Sequence, residues 1–280
     1  MKNKILIDKN LNIDEYDKVS NTLSFNHQQG TFYLTYNYLP EDFKIKIINS
    51  NITLIERYVG DFRKASCSYD VDEASIITRF AIVVNSDDVY DIKKTINNNG
   101  EYHLMQIDLS NGDSNNVETI NLNNSNAVAT FTAGLYGVNK AGKTYVTTIN
   151  HNEMNTNSKI KIFAVNDDEA NIKIYTDAFI KKGAHQSIAL QEGRIINLTE
   201  NCKGLVYPDL HIDDNDVQAA HSCSVGNVNP EHLYYLESRG FSKEEAEKIL
   251  IKGYFNPLFE GVKEQDIKDE INKVLDERLK

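Results

Sequence analysis

Cysteine is scarce in this chain of 280 residues, which contains three: Cys67, Cys202 and Cys223. They are widely spaced and odd in number, so the sequence predicts neither a disulfide framework nor a metal-binding Cys-x-x-Cys pair. Basic residues are also in the minority, with 30 Lys and Arg against 41 Asp and Glu and a formal net charge of -11. Such a chain carries no broad field that attracts phosphate backbones or anionic lipid. We therefore expect no nucleic-acid partner and no membrane partner.

Long apolar runs are missing as well. The opening stretch MKNKILIDKNLNIDEYDK carries a charge every few positions and contains no apolar run of signal-peptide or transmembrane length. The sequence therefore favours a cytoplasmic location.

Up to about residue 225 the chain consists of short runs rich in β-branched and aromatic residues, separated by clusters of Asn, Asp, Gly and Ser. Many runs alternate apolar with polar residues, as half-buried strands do. Few of the intervening turns have the tight Asn-Gly or Asp-Gly form of hairpins, and Asn-rich corners recur at coil-like spacing. This pattern favours a parallel β-helix or another stacked β architecture, although sandwiches also have regular short strands.

The pattern changes at Asn229, which is a good helix N-cap, with Pro230 at the first helical position. Gly240 suits the end of that helix, and Ser242 with Glu245 forms a capping box for a second helix. A third segment places apolar residues on one face at helical spacing. These residues are Ile267, Ile271, Val274 and Leu275. We predict a β-helix core over residues 1–225 and a C-terminal helical domain over residues 226–280.

Residues 137–144, GVNKAGKT, match the P-loop pattern GxxxxGK[ST]. A P-loop needs a helix directly after it, because the free amides and dipole of the helix N-terminus hold the phosphate. The next residues, YVTTI, are typical of a strand. The sequence therefore favours a glycine-bearing loop between two strands over a nucleotide site.

His221 and Cys223 lie two positions apart, so on a strand they project from the same face. Imidazole and thiolate together make half of a soft-metal or iron-sulfur site. The small-residue segment AAHSCSVG can equally pack a histidine and a cysteine into a core, and both interpretations remain open. The nearby HIDDNDV, residues 211–217, lacks the glycine and distal glutamate of a calcium loop, and we expect a polar turn there.

Enzyme classes find little support. No GxSxG nucleophile elbow is present. The acidic pairs Asp167–Asp168 and Asp213–Asp214 are the kind of groups that polysaccharide-cleaving β-helices use, but adjacent carboxylates in Asn-rich turns are commonly solvated corners.

Residues 219–255 resemble the C-terminal signature of the SufB/SufD family of iron-sulfur cluster assembly proteins. That signature runs His-Gly-Ala-Thr-Val-Gly, an acidic spacer, Leu-Phe-Tyr-Leu, Ser-Arg-Gly, a Glu-Ala-rich helix and Gly-Phe-Phe. The counterparts here are residues 221–226, 233–236, 238–240, 244–246 and 253–255. Upstream the likeness is weaker and includes His151, and the first 130 residues carry no matching motif.

The resemblance implies a mainly β protein: a right-handed parallel β-helix followed by a small C-terminal α-helical domain. It implies two partners, an ABC-type ATPase like SufC on the C-terminal helices, and a SufB-like subunit or a second copy paired through the β-helix. We expect the family's N-terminal helical domain to have no counterpart in this sequence, because β-like sequence begins within the first few dozen residues.

The resemblance also assigns candidate residues. His221 occupies the place of the SufD-type histidine near the dimer interface, and Ser222 stands where the SufB type has glutamate, which favours a SufD-like, non-enzymatic role. His221 is thus a candidate metal ligand for a transient iron-sulfur cluster at that interface, with no firmly bound cofactor. Cys223 is either an extra ligand or a harmless small substitution.

The ATPase-docking candidates are Leu233, Tyr234, Tyr235, Arg239 and Phe255, because exposed aromatic residues are common interface anchors. The alternative for these residues is that they close the end of the β-helix. Two alternatives for the whole chain also remain. The nearer one is a SufB-like or homodimeric scaffold, and the more distant one is a polysaccharide-active β-helix enzyme.

Overall fold

The computed structural model describes residues 5–7, 16–17, 19–84, 89–259 and 265–278. Within these residues, strands fill the chain as far as Asn227 and helices follow. From the third strand onward, successive strands alternate between two nine-stranded sheets, called sheet A and sheet B here. Sheet A contains, in spatial order, β1 (Ile5–Ile7), β4 (Gln29–Tyr36), β6 (Asn51–Tyr58), β8 (Ile76–Val83), β10 (Glu101–Asp108), β12 (Val128–Gly137), β14 (Asn157–Asn166), β16 (Ile188–Asn197) and β18 (Gln218–Asn227). Sheet B contains β2 (Tyr16–Asp17), β3 (Thr22–Asn26), β5 (Phe43–Ile48), β7 (Phe62–Val71), β9 (Tyr90–Asn98), β11 (Ser114–Leu122), β13 (Gly142–His151), β15 (Asn171–Ile180) and β17 (Lys203–Ile212).

The two sheets form a parallel β-solenoid, which confirms the predicted architecture. Neighbouring strands pair in parallel throughout both sheets, except for the antiparallel pairs β1–β4 and β2–β3 at the N-terminal end. Because each strand pairs with the strand two further along the chain, the backbone coils and the apolar positions of every coil meet inside. The core between the sheets is accordingly a continuous stack of buried aliphatic and aromatic side chains.

Asparagine at the corners explains how the chain turns between sheets. Residues 43–59 look like one long β run in the sequence, but the structure divides them into β5 and β6 at Asn49, whose φ is 45°. Asparagine tolerates this left-handed conformation better than most residues. Asn126, Asn139 and Asn155 adopt positive φ at later corners in the same way. The Asn-rich stretches therefore mark coil corners.

The coils lengthen along the chain. Stacked corner residues are 22 positions apart at Gln28 and Ser50, and 31 apart at Thr156 and Ser187. The strands are also longer near the C-terminal end, because β3 has 5 residues and each strand from β12 to β18 has 10. The perimeter of the solenoid thus increases towards its C-terminal end.

Charged side chains occupy the interior of the middle coils. Arg79 on β8 is completely buried, and its Nη2 lies 2.7 Å from Glu56 Oε2 on β6. The guanidinium also lies 4.0 Å from the ring centroid of Tyr69 in the opposite sheet and 3.7 Å from Glu118 Oε1 on β11. Such burial is tolerated only where partners replace the lost hydration.

Two lysines extend this buried network. Lys94 Nζ donates hydrogen bonds to Tyr90 Oη at 2.9 Å and to Asn116 Oδ1 at 3.1 Å. Burial lowers the pKa of Lys94, and the nearby Glu118 carboxylate acts in the opposite direction. Lys143 Nζ lies 2.6 Å from Asp108 Oδ1, and although burial opposes the charged carboxylate, this contact holds the pKa of Asp108 below its usual value. The interior is therefore a charge-compensated network as well as an apolar core.

The C-terminal helices are α1 (Pro230–Ser238), α2 (Lys243–Phe255) and α3 (Gln265–Arg278), with a 3-10 turn at Asn256–Phe259. The predicted caps are confirmed: Asn229 Oδ1 accepts the Glu231 amide at 2.9 Å, and Ser242 with Glu245 forms the capping box. None of the helices in the described part of the chain is long and apolar enough to cross a membrane.

Helices α2 and α3 pack on the outer face of sheet A. Their buried apolar residues join a single cluster with outward-facing residues of the sheet. A Cβ atom at Gly134 on β12 would lie 2.2 Å from Leu258 Cδ1, so the glycine allows this close approach. The helical members of the cluster are Ile251, Phe255, Leu258, Ile267, Ile271 and Leu275, and the strand members include Ile55, Phe80, Ile82, Met105, Ile107, Tyr136 and Phe163. The division into a β-helix core up to residue 225 and a helical domain from residue 226 stays a prediction. In the structure, helices α2 and α3 share a core with sheet A.

His151 at the end of β13 is a buried histidine inside the C-terminal half of the solenoid. Its Nδ1 lies 2.8 Å from Thr156 Oγ1 and its Nε2 lies 2.8 Å from Ser158 Oγ. Burial lowers the pKa of His151 to about 4. The imidazole is therefore neutral in the folded protein at ordinary pH.

Replacement of Arg79 by methionine is expected to lower the free energy of unfolding by about 3 to 5 kcal/mol, because Glu56 is then left buried without its cation. The matched control is Arg63→Met, whose ion pair with Asp61 is exposed and worth less than about 1 kcal/mol. Urea unfolding of both variants measures the difference. A loss below about 1 kcal/mol in Arg79→Met would contradict a structural role for the network.

Acidification is expected to destabilise the protein through His151. Between the unfolded pKa, about 6.5, and the folded value, about 4, the unfolded chain binds the extra proton, so stability falls as pH falls. The contribution reaches about 3 kcal/mol at and below the folded pKa. Urea unfolding from pH 7.5 to about pH 4 measures it, and His151→Gln should show a shallower pH dependence. Equal slopes in the two proteins would refute this assignment.

Candidate functional site

His221 and Cys223 lie on β18, which is the edge strand of sheet A at the C-terminal end of the solenoid. They pair in register with Gln191 and Gly193 on β16, and both of these residues are buried on the inward side of that strand. His221 and Cys223 therefore share the inward-facing side of the last coil, as their spacing predicts. Both are nevertheless exposed, because they stand at the open end of the stack.

The surroundings of this pair are largely apolar. On β17, Val206 and Leu210 also take the inward side and are half-buried. At the rim, Val225 is 45% exposed and Ile212 is 42% exposed. The last coil thus presents apolar side chains, an imidazole and a thiol beside the unpaired edges of two strands. Exposed edges of this kind are normally covered by another chain or another element.

The last coil places an imidazole and a thiol on the same side of one strand. Among the described residues, His221 and Cys223 do not belong to any group of three His, Cys, Asp or Glu residues whose ligand atoms could hold one ion. A metal ion or cluster on these two side chains would need further ligands.

Helix α1 carries the exposed aromatic residues. Tyr234 is 74% exposed and Tyr235 is 56% exposed, with the Arg239 guanidinium 5.2 Å from the ring centroid of Tyr235. Leu233 is half-buried, and the helix has no buried residue. This surface, made of Leu233, Tyr234, Tyr235 and Arg239, is called the α1 surface below.

Phe255 differs from the other docking candidates. It is completely buried in the cluster between α2 and sheet A, so the expectation that it faces a partner does not hold in this structure. Its helical spacing alone does not distinguish a side chain facing a partner from one facing the sheet. Phe255 attaches the helices to the solenoid.

The P-loop-like stretch is a loop between strands, as predicted. Strand β12 ends at Gly137, β13 begins at Gly142, and no helix follows. Lys143, which would bind phosphate in a P-loop, is buried against Asp108 inside the solenoid.

The acidic pairs also take part in local structure. Asp168 Oδ2 accepts the Asn139 amide at 2.9 Å, and Asp167 Oδ1 accepts the Asp168 amide at 2.8 Å. Asp214 accepts the amides of Gly183 and Asp216. These carboxylates fix coil corners, which removes the main support for a polysaccharide-cleaving site.

Two clusters were missed from the sequence. The first cluster is the network of buried charged side chains. Its sequence signal is a charged residue at an inward position of an alternating strand, such as Lys94 or Glu118. The second cluster is Asp177, Asp209 and His211 on the outer face of sheet B.

The expected polar turn at residues 211–217 was partly wrong, because His211 and Ile212 complete strand β17. The last two outward residues of β17, Asp209 and His211, are separated by a single apolar position.

A parallel β-solenoid with helices packed on one sheet, and with an exposed histidine and cysteine on its last coil, defines the class of protein. Residues 46–254 match the family model for the SUF system FeS cluster assembly, SufBD core domain. This match covers well over half of the chain, so the protein belongs to the SufBD family.

Within the family, the chain is similar to SufD proteins. It is 26% identical over 247 residues to the iron-sulfur cluster assembly protein SufD of Bacillus subtilis, covering 83% of this chain and 55% of that protein. It is 29% identical over 72 residues to SufD of Escherichia coli, covering 26% of this chain and 17% of that protein. A SufBD family protein of Mycobacterium leprae is 26% identical over 104 residues, covering 37% of this chain and 26% of that protein. The chain spans about half the length of the Bacillus relative, and less of the others.

Proposed function

We propose that this protein is a non-catalytic, SufD-like component of an iron-sulfur cluster assembly scaffold in the cytoplasm. It pairs through the last coil of its β-solenoid and binds an ABC-type ATPase on the α1 surface. The observation that carries the proposal is the exposed imidazole of His221, with Cys223 beside it, on β18, an edge strand of sheet A in the described part of the chain. The iron-sulfur cluster is the cargo of this scaffold, held transiently.

The pairing partner meets the molecule at its C-terminal end. There, two edge strands leave backbone amides and carbonyls unpaired, and apolar residues such as Ile212 and Val225 are exposed. A second solenoid end satisfies both features, since it offers apolar contacts and strand edges. The partner also supplies the missing ligands to His221.

A SufB-like subunit is the favoured partner. The SufB type carries a glutamate in its signature where this chain has Ser222, and serine does not ligate a metal as a carboxylate does. A heterodimer would therefore combine His221 with a carboxylate from the other subunit. A homodimer would bring two His221–Cys223 pairs together, and it remains the alternative.

The ATPase meets the α1 surface. Two exposed tyrosines and an arginine on a helix without buried residues fit the usual composition of interface anchors. The helix follows directly after β18, separated from it by Val228 and Asn229. A movement of α1 driven by ATP binding would therefore reach the strand that carries His221.

The double variant Tyr234→Ala/Tyr235→Ala is expected to lose the ATPase when the tagged full-length protein is purified anaerobically from its native cells. Stability should change by less than about 1 kcal/mol, since both residues are exposed. Mass spectrometry of the co-purified proteins measures the loss. The matched control is Tyr207→Ala on sheet B, a tyrosine 56% exposed like Tyr235.

Phe255→Ala gives the opposite pattern, a loss of about 3 to 5 kcal/mol of stability from the buried cluster. If the ATPase stays bound to the double tyrosine variant, the α1 surface is not the docking site. If no ATPase is recovered with the folded wild-type protein, the scaffold proposal fails.

His221→Ala is expected to abolish iron-sulfur enzyme maturation in cells that depend on this protein, while the variant still pairs and stays folded. His27→Ala at the other end of the solenoid is the control and should mature clusters normally. Cys223→Ala distinguishes the two roles of the thiol, and we expect it to behave as a harmless substitution. Normal maturation with His221→Ala would rule out the ligand role.

A further inference from the structure

The outer face of sheet B carries three potential metal ligands on two neighbouring strands. Asp177 lies on β15, and Asp209 and His211 lie on β17, with Asp177 paired in register with Asp209. The alternation of strand residues directs all three side chains away from the core. One ligand atom from each residue lies within 4.8 Å of the others, and His211 Nε2 is 3.4 Å from Asp209 Oδ2.

The imidazole is held in place by a neighbour. The ring of His211 stacks on Phe179 with centroids 4.2 Å apart and an interplanar angle of 4°. Phe179 is the residue that pairs with His211 in register, two positions after Asp177. The stacked ring keeps Nε2 beside the carboxylates. A ligand orientation fixed before binding lowers the entropic cost of holding an ion.

The two carboxylates repel each other across neighbouring strands. Like charges directly opposite each other on neighbouring strands destabilise a sheet. In the part of the chain that the structure describes, neither Asp177 nor Asp209 forms an ion pair with a lysine or arginine, whereas Asp108 in the interior has Lys143. A bound divalent cation would convert this repulsion into attraction. Both carboxylates are half-buried, so the interaction is less screened than at a fully exposed position.

We propose that Asp177, Asp209 and His211 bind one first-row divalent transition-metal ion on the outer face of sheet B. Two carboxylates and an imidazole suit Mn²⁺, Fe²⁺, Co²⁺ or Zn²⁺, whereas Mg²⁺ and Ca²⁺ prefer oxygen ligands alone and Cu⁺ prefers sulfur. Three protein ligands on an open surface leave coordination positions for water or for a further ligand. The side chains are exposed or half-exposed, so they can reach the ion by small rotations about their χ angles.

This site is separate from the half-site of His221 and Cys223. The two lie on different strands and different faces, since His211 faces outward on β17 and His221 inward on β18. Binding of the ion does not require a second chain, because all three ligands belong to one molecule. Ion binding at this site therefore does not depend on the proposed assembly role.

The chain provides a matched control in a second histidine–aspartate pair. His185 Nδ1 lies 2.9 Å from Asp214 Oδ1, but Asp214 already accepts backbone amides from Gly183 and Asp216. No third ligand accompanies this pair among the described residues. His185→Gln therefore removes a comparable contact without removing a ligand of the proposed site.

The test is titration of the full-length metal-free protein with Co²⁺, followed by calorimetry and by visible absorption. We expect one ion per chain without a thiolate-to-metal charge-transfer band. Affinity should fall by roughly tenfold or more in His211→Gln and in Asp177→Asn, and should not change in His185→Gln or His221→Ala. Circular dichroism confirms that each variant is folded.

Unchanged Co²⁺ affinity in both His211→Gln and Asp177→Asn would overturn the proposal. A charge-transfer band that disappears in Cys223→Ala, with no effect of His211→Gln, would also overturn it, because the ion would then sit on the last coil. Neither outcome depends on recovery of an ATPase, so failure of this site and failure of the assembly role are distinguishable.

Discussion

The buried ion pair between Arg79 and Glu56 is the constraint on which the solenoid depends. The two residues lie 23 positions apart in sequence, on consecutive strands of sheet A, and their network continues into sheet B through Tyr69 and Glu118. A slip of one residue in any of these strands would move its charged side chain to the outer face and an outward residue to the inner face. The partner charge would then be left buried without its ion pair. Apolar columns alone tolerate alternative registers far better. The ions therefore specify how the coils stack, and the stacking places every surface residue.

With the coils fixed, the molecule presents surfaces of different character. The outer face of sheet A is covered by α2 and α3, so the helices are anchored by an apolar cluster and leave α1 exposed. No helix of the described residues packs on the outer face of sheet B, which carries polar ladders, such as the amide contacts from Asn97 through Asn121 to Asn150. The open end carries His221 and Cys223. The proposed partner pairing, ATPase docking and ion binding would accordingly use three separate places on the molecule.

Local features of the fold could be predicted, and contacts between coils could not. The caps of α1 and α2 depend on residues within four positions of each other. The alternation of apolar and polar residues along a strand depends on neighbours two apart, so both features could be predicted from the sequence. The inward placement of Lys94 follows from alternation, but its partner Gln106 lies on another strand of the opposite sheet. The burial of Phe255 and the grouping of Asp177 with Asp209 could not be predicted, because they depend on how α2 packs on sheet A and on the register between β15 and β17. Family resemblance located His221, while only the coil geometry showed that it stands at an open end.

The increase in coil length has a consequence for assembly. A stack whose turns grow from 22 to 31 residues is tapered, with a narrow first end and a broad last end. When two such bodies meet, a broad end matches another broad end in perimeter, whereas it overhangs a narrow end and leaves strand edges bare. Broad-to-broad contact uses up both matching surfaces and closes the assembly at two, while head-to-tail contact would propagate into a filament. Under the proposed pairing, the taper therefore favours a finite pair over an open-ended polymer.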